Sequence, residues 1–222
     1  MTFAYDRQTI VQHEPNPADK TIADGTAGLK KLAETKNIPI VVVDLPVAGQ
    51  PGQHEKMGKL VAAMSPMTAN SRLYLRGHGC WMMQTIGGVD AKTWARTLLN
   101  AGLYKTKVIS ITACTAGRDR DIMDNRVVES ANSFASQFHQ ALMDMANLDT
   151  VIYARVYNQI VYSAGFKATS DLDAGIKPEN SRAKSKLRFS WQGRKQVREW
   201  VDYSTDGTSS LGSLPKAEWL PD

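Results

Sequence analysis

Hydrophobic positions along the chain alternate between two spacings, which predict helices and strands in turn. Residues 21–36 carry apolar residues at helical spacing, and the β-branched run at 38–43 predicts a buried strand. The alternation continues with helices expected near 57–64, 91–99 and 127–145 and strands at 72–75, 108–112 and 151–154. Strands that alternate with helices of this length indicate an α/β fold, with a mainly parallel sheet, mixed at its edge, between two layers of helices.

The two ends of the chain have different patterns. Residues 1–20 are polar and contain Pro15 and Pro17, so we expect an extended N-terminal arm. We assign residues 21–204 to the domain, whose last part, 159–204, consists of short apolar pieces separated by glycine and proline and predicts a C-terminal β-flap. Residues 205–222 are rich in Ser, Gly and Pro, which is typical of a flexible tail.

Composition narrows the class of protein. With 42% hydrophobic and 22% charged residues, the 222-residue chain can bury one globular core. The net charge of +5 favours an acidic partner but falls short of a polybasic protein. We expect no membrane span, because no apolar run approaches the roughly 18 residues required. Two cysteines argue against a disulfide scaffold, so we expect a cytoplasmic protein or one exported, for instance into a host cell, without a conventional signal peptide.

Two predicted strands each end in a reactive residue. The strand at 72–75 runs into Gly77-His78-Gly79, and the strand at 108–112 runs into Ala113-Cys114. Because the carboxyl ends of parallel strands lie at one edge of a sheet, His78 and Cys114 are expected to meet there. An imidazole that removes the proton of a thiol makes a nucleophile for acyl transfer, and the backbone N–H groups of Gly79 and Cys114 are candidates to stabilise the oxyanion.

Other interpretations of these residues stay open at this point. Cys80 is an alternative nucleophile or a disulfide partner of Cys114, and both cysteines could be structural. A zinc site made of His78, Cys80 and Cys114 lacks a fourth ligand, so we expect no metal. Asp44, at the end of the first strong strand, is a candidate to orient His78 or to cap a turn.

A strand ending in His-Gly, followed by a strand ending in Ala-Cys, resembles the clan of cysteine peptidases that includes caspases, legumain, gingipains and clostripain. Thr112-Ala113-Cys114-Thr115-Ala116-Gly117 resembles the nucleophile turn of that clan. The chain is most similar to the self-processing cysteine peptidase domains of large bacterial toxins, through residues 86–90, 153–157 and 162–167 in addition to the dyad. This resemblance implies a caspase-like fold and a cysteine endopeptidase, with no cofactor needed for the chemistry.

In those toxin domains inositol hexakisphosphate binds a basic surface near the late flap and activates the enzyme. The resemblance therefore implies an inositol phosphate activator here, bound by Lys167, Lys184, Lys186 and Arg188. Because this chain carries only a short arm before its core, we expect a protein substrate in trans rather than self-processing alone. The alternative is a non-catalytic module of the same fold, a pseudopeptidase, that holds an anionic ligand. Nucleic acid is a weak third candidate, because the basic segment lacks a recognition motif.

Overall fold

The computed structural model describes residues 5–16, 18–119, 130–161, 167–170, 186–203 and 209–212. The helices are α1 (Thr21–Glu34), α2 (Gln53–Met64), α3 (Ala91–Asn100) and α4 (Phe134–Ala146). The strands are β1 (Gln8–His13), β2 (Ile40–Asp44), β3 (Arg72–Gly77), β4 (Gly79–Cys80), β5 (Thr85–Ile86), β6 (Val89–Asp90), β7 (Val108–Thr112), β8 (Val151–Arg155), β9 (Asn158–Val161), β10 (Lys167–Ser170), β11 (Lys186–Gln192), β12 (Lys195–Tyr203) and β13 (Ser209–Gly212).

Eight strands form the central sheet in the order β13-β12-β11-β8-β7-β3-β1-β2. The five strands from β8 to β2 pair in parallel, whereas β11, β12 and β13 are antiparallel additions at one side. Strands β4, β5 and β6 form a small separate sheet after β3, and β9 pairs with β10 in a hairpin. The predicted α/β class is confirmed, and the mixed, mostly parallel sheet is consistent with a caspase-like fold.

The sheet has an apolar layer on each face because its buried strands point alternate side chains to opposite sides. Leu73 and Leu75 of β3 belong to the large core that contains Leu60 of α2, Trp94 of α3 and Phe138 of α4. On the opposite face, Ile10 and Tyr74 pack with Leu29 of α1. Helix α1 therefore covers one face, and the other three helices cover the other.

The predicted N-terminal arm is wrong for residues 8–13, which form β1 inside the sheet between β2 and β3. Ile10 and Val11 are both 0% exposed, each packed into a different face of the sheet. A strand buried on both faces shows no alternation of polar and apolar residues, and this one is only a few residues long. The prolines at 15 and 17 follow the strand rather than exclude it.

Three other boundaries also differ from the sequence prediction. The last helix begins at Phe134, because the Ser133 side chain accepts a hydrogen bond from the Ser136 N–H; Val127 lies outside the described residues. The predicted flap divides: β9 and β10 form the separate hairpin, whereas β11 and β12 extend the central sheet. Residues 209–212 of the predicted tail pair with β12 as β13, so the sheet continues into that segment.

The burial of β1 predicts a large stability cost for a substitution in what the sequence pattern presents as an arm. Ile10→Ala should lower the free energy of unfolding by roughly 2–5 kcal/mol, because it leaves a cavity between the sheet and α1. Tyr104→Ala is the control: Tyr104 is 60% exposed, so its loss should cost less than about 0.5 kcal/mol. Urea unfolding of both variants measures the difference, and equal costs would show that β1 is not part of the folded sheet.

Candidate active site

His78 and Cys114 follow two adjacent parallel strands of the sheet. His78 comes directly after β3, and Cys114 comes two residues after the end of β7. In the register of these strands Arg76 lies opposite Thr112, and each of these residues precedes its reactive neighbour by two positions. The two turns consequently leave the same edge of the sheet side by side, as the sequence predicts.

The backbone of the histidine turn touches the backbone of the nucleophile turn. A Cβ added to Gly79 would lie 1.8 Å from the Cys114 carbonyl oxygen and 3.0 Å from the Cys114 nitrogen. Only glycine fits at such a close approach. This contact fixes the distance between the two turns through main-chain atoms.

The nucleophile turn is also tied to the strand beside it. Thr115, which has a positive φ of 53°, donates its N–H to the Tyr157 carbonyl at 3.1 Å. Gly117 donates its N–H to the Arg155 carbonyl at 2.8 Å. These two bonds hold the chain around Cys114 against the end of β8.

Two carboxylates approach the same ring nitrogen of His78. Asp19 Oδ2 and Glu14 Oε2 each lie 3.0 Å from His78 Nε2. The Asp19 contact is a hydrogen bond, whereas Glu14 Oε2 is a buried oxygen without a hydrogen-bond partner. Because a carboxylate can only accept, Nε2 carries the proton and donates it. This leaves Nδ1 as the nitrogen that can act as a base.

Asp19 is fixed at the start of α1. Its Oδ1 accepts the Thr21 N–H at 2.8 Å, while Oδ2 accepts from His78. Hydrogen bonds from the Thr21 backbone and side chain, followed by the nearby His78, hold the pKa of Asp19 below its ordinary value. The group therefore remains a carboxylate under the conditions in which an imidazolium would form beside it.

The sequence suggests Asp44 as the carboxylate that orients His78, but the structure places two other carboxylates there. Asp44 does not orient His78; its Oδ1 accepts a hydrogen bond from Gln12 Nε2 at 3.1 Å. Glu14 and Asp19 belong to the segment interpreted as an arm, which is why they were missed. The apolar pair Ile10-Val11 just before Glu14 was the one sign of a strand in this segment.

The structure contains neither the disulfide nor the zinc site considered for Cys80. No disulfide joins Cys80 and Cys114. Cys80 lies in β4 opposite Thr85 of β5. The zinc trio with Cys80 and Cys114 does not form either: among the described residues the one metal-type group is Glu14, Asp19 and His78, with ligand atoms within 4.8 Å of one another.

A second polar region lies on the sheet face that α1 covers, toward β11. Lys186 is opposite Arg155 in the register of β11 and β8, and its Nζ is 4.4 Å from the centroid of the Tyr153 ring. Burial, then the charges of Arg72 and Arg155, lower the pKa of Lys186 to about 7. We call Arg72, Arg155 and Lys186 the basic cluster.

The basic cluster contains only one of the four residues expected to bind an anion. Arg188 instead forms an ion pair with Glu199 at 2.5 Å, which compensates its charge. Lys167 begins β10, and Lys184 lies outside the described residues. Arg72 and Arg155 were missed because they come from strands distant in sequence, and only the sheet order brings them near Lys186.

Comparison with known proteins identifies the class of protein. Residues 4–170, more than half of the chain, match the model of the Peptidase C80 family. The chain belongs to this family of cysteine peptidases, the family of the bacterial toxin autoprocessing domain, and is therefore a hydrolase. No curated protein matches the chain. Every helix in the described part of the chain is too short or too polar to span a bilayer.

The two carboxylates predict a graded response to neutralisation. Asp19→Asn should lower kcat/KM for peptide cleavage by roughly 10- to 100-fold, because Glu14 remains beside Nε2 to hold the tautomer. The double variant Glu14→Gln with Asp19→Asn should lose on the order of 10⁴-fold, as expected when the imidazole takes the wrong tautomer. Asp44→Asn is the control and should keep full activity. If Asp44→Asn has the larger effect, the carboxylates assigned here do not orient the base.

Proposed function

We propose that the protein is an endopeptidase that cleaves a protein substrate in trans with His78 as base and Cys114 as nucleophile. The observation that carries this proposal is the contact of the His78 turn with the Cys114 backbone while Asp19 holds His78 Nε2. The Peptidase C80 match supports a thiol mechanism in general. The same match favours catalysis over the alternative of a pseudopeptidase.

The proposed mechanism passes through a thioester between the substrate and Cys114. His78 Nδ1 takes the proton of the Cys114 thiol, and the carboxylates at Nε2 stabilise the imidazolium. The thiolate attacks the carbonyl of the scissile bond, and the backbone N–H groups of Gly79 and Cys114 stabilise the oxyanion. The imidazolium then protonates the leaving amine, and water hydrolyses the thioester to release the acid and the free thiol.

The dyad predicts which cysteine is essential. Cys114→Ala and His78→Ala should each lower peptide cleavage by at least ~10³-fold, because no other group in the proposed mechanism can replace the nucleophile or the base. Cys80→Ala is the matched control and should retain most activity. Mass spectrometry of digested peptide mixtures measures the rates. An active Cys114→Ala variant, or an inactive Cys80→Ala variant that still folds, would contradict the assignment.

A separate experiment distinguishes cleavage of another molecule from self-processing. The Cys114→Ala protein, labelled and mixed with the active protein, tests whether one copy cuts another. The in-trans proposal predicts that an unrelated peptide or protein is cut at a rate proportional to enzyme concentration. If the only product is a fragment of the active chain formed at a concentration-independent rate, the enzyme is self-processing instead.

We further propose that a polyanion such as inositol hexakisphosphate activates the enzyme by binding the basic cluster. Bringing three cations together on one partly buried face is unfavourable, and burial already disfavours the charged form of Lys186. A multivalent phosphate would offset this repulsion and restore the proton to Lys186. Arg72, which donates two hydrogen bonds to Ser110 Oγ and stacks on Tyr74, would form a fixed side of such a site.

This proposal predicts proton uptake on anion binding. At pH 7.5 Lys186 is mostly neutral because its pKa is about 7, and a bound polyanion would raise that pKa. Titration calorimetry in buffers of different ionisation enthalpy should therefore show proton uptake that is absent from Lys186→Met. The exposed Lys105→Met is the control. Equal uptake by the native and Lys186→Met proteins, or an equal response to sulfate at matched ionic strength, would contradict a specific site.

Lys186 also makes the stability of the protein without bound anion depend on pH. The unfolded chain keeps the Lys186 proton up to its ordinary pKa of 10.5, whereas the folded protein releases it near pH 7. The unfolded state thus binds more protons between these values, so this group makes the free energy of unfolding rise as pH increases from 7 towards 10.5. Lys186→Met should flatten that slope in urea unfolding experiments.

A further inference from the structure

Arg76 is a buried cation at the end of the strand that leads into the proposed dyad. It is the fifth residue of β3, two positions before His78, and lies opposite Thr112, two positions before Cys114. Its residue exposure is 2%, although arginine is almost never fully buried without a partner. It shares the α1 face of the sheet with Arg72 and Tyr74 because alternate residues of a strand point to the same side.

Two nitrogen atoms of the Arg76 guanidinium donate no hydrogen bond within the described part of the protein. Nη2 donates to the Ile22 carbonyl of α1 at 3.3 Å, while Nε and Nη1 are buried and have no hydrogen-bond partner. Burial lowers the pKa of Arg76 to about 10, and the charge of Cys114 acts in the opposite direction. The group is therefore a cation at neutral pH. A buried cation with unused donors is costly unless an anion binds to it.

We propose that Arg76 binds a carboxylate of the substrate, so that the peptidase selects aspartate or glutamate as the residue whose carbonyl Cys114 attacks. This inference rests on the proposed function. The side chain of that residue is the one held nearest the dyad, and the orphaned donors of Arg76 lie at the same end of the same strand as His78. A guanidinium offers a planar pair of N–H donors that matches a carboxylate with two parallel bonds.

The hydrogen bond between Arg76 and the Ile22 carbonyl is weak enough for a substrate carboxylate to replace it. Its bond to the Ile22 carbonyl is longer than the usual 2.9–3.0 Å, and it is a bond to a neutral acceptor. Bonds to a substrate carboxylate would be charge-assisted and stronger. A neutral side chain in the same position would leave the guanidinium unpaired. We therefore expect discrimination of at least ~10²-fold between acidic and apolar side chains.

The first experiment does not depend on peptide cleavage. It compares the rates at which iodoacetate, an anion, and iodoacetamide, its neutral analogue, alkylate Cys114. The ratio of the two rates cancels differences in thiol reactivity and reports the attraction of a carboxylate to a site beside the sulfur. We expect Arg76→Met to lower the ratio by ~10-fold or more, and Arg76→Lys, which keeps the charge, to lower it less.

The matched control is Arg96→Met, which removes an exposed arginine on α3 and should leave the ratio unchanged. Removing a buried, poorly paired charge should not unfold the protein, which thermal melting checks. If melting shows that Arg76→Met is unfolded, the charge-conserving Arg76→Lys and the native ratio at rising salt decide the question. An unchanged ratio in folded Arg76 variants overturns the proposal.

The second experiment sequences the products of a peptide library by mass spectrometry. The native protein should cut after Asp or Glu, and Arg76→Met should lose that preference while Arg96→Met keeps it. Cleavage after apolar residues by the native protein would overturn the role of Arg76 and leave the dyad intact. If the native protein cuts no peptide, the proposed function fails, while the alkylation ratio still decides whether Arg76 binds a carboxylate.

Discussion

Parallel pairing of β1, β3 and β7 is the constraint on which the site depends. Each strand carries one polar group past its carboxyl end, namely Glu14, His78 and Cys114, and the pairing brings these ends to one edge. Main-chain hydrogen bonds across the sheet therefore position groups that are far apart in sequence. The contact of Gly79 with the Cys114 backbone adds a direct link that leaves no room for a side chain.

The charges on the α1 face of the sheet give the molecule a second organising feature. Arg72 and Arg76 both lie on this face of β3, with Tyr74 between them. Arg155 and Lys186 lie opposite each other on β8 and β11. A core made only for stability would replace such groups with apolar side chains of similar volume. Their presence is consistent with anion recognition at two places on this face, next to the dyad and near β11.

The sequence was sufficient for the alternation of elements and for the two strands that lead into His78 and Cys114. Leu73 to Gly77 and Val108 to Thr112 form strands long enough to be identified by their apolar runs. It was not sufficient for β1, whose central residues are buried on both faces and therefore lack periodicity. Since Glu14 and Asp19 flank that strand and α1, their role depends on a pairing that local pattern cannot reveal.

The insertion of β1 between β2 and β3 also has a kinetic consequence. The hydrogen bond between Asp19 and His78 joins residues 59 positions apart, so a long loop must close before the base gains its partner. Sheets that depend on such non-local pairings fold slowly compared with helical bundles. During synthesis β1 can pair with β2 first, but its other edge must remain unpaired until β3 has been made, and Cys114 follows later still. His78 thus lacks its carboxylate partner until the centre of the sheet has assembled, so the proposed dyad is complete only in the later stages of folding.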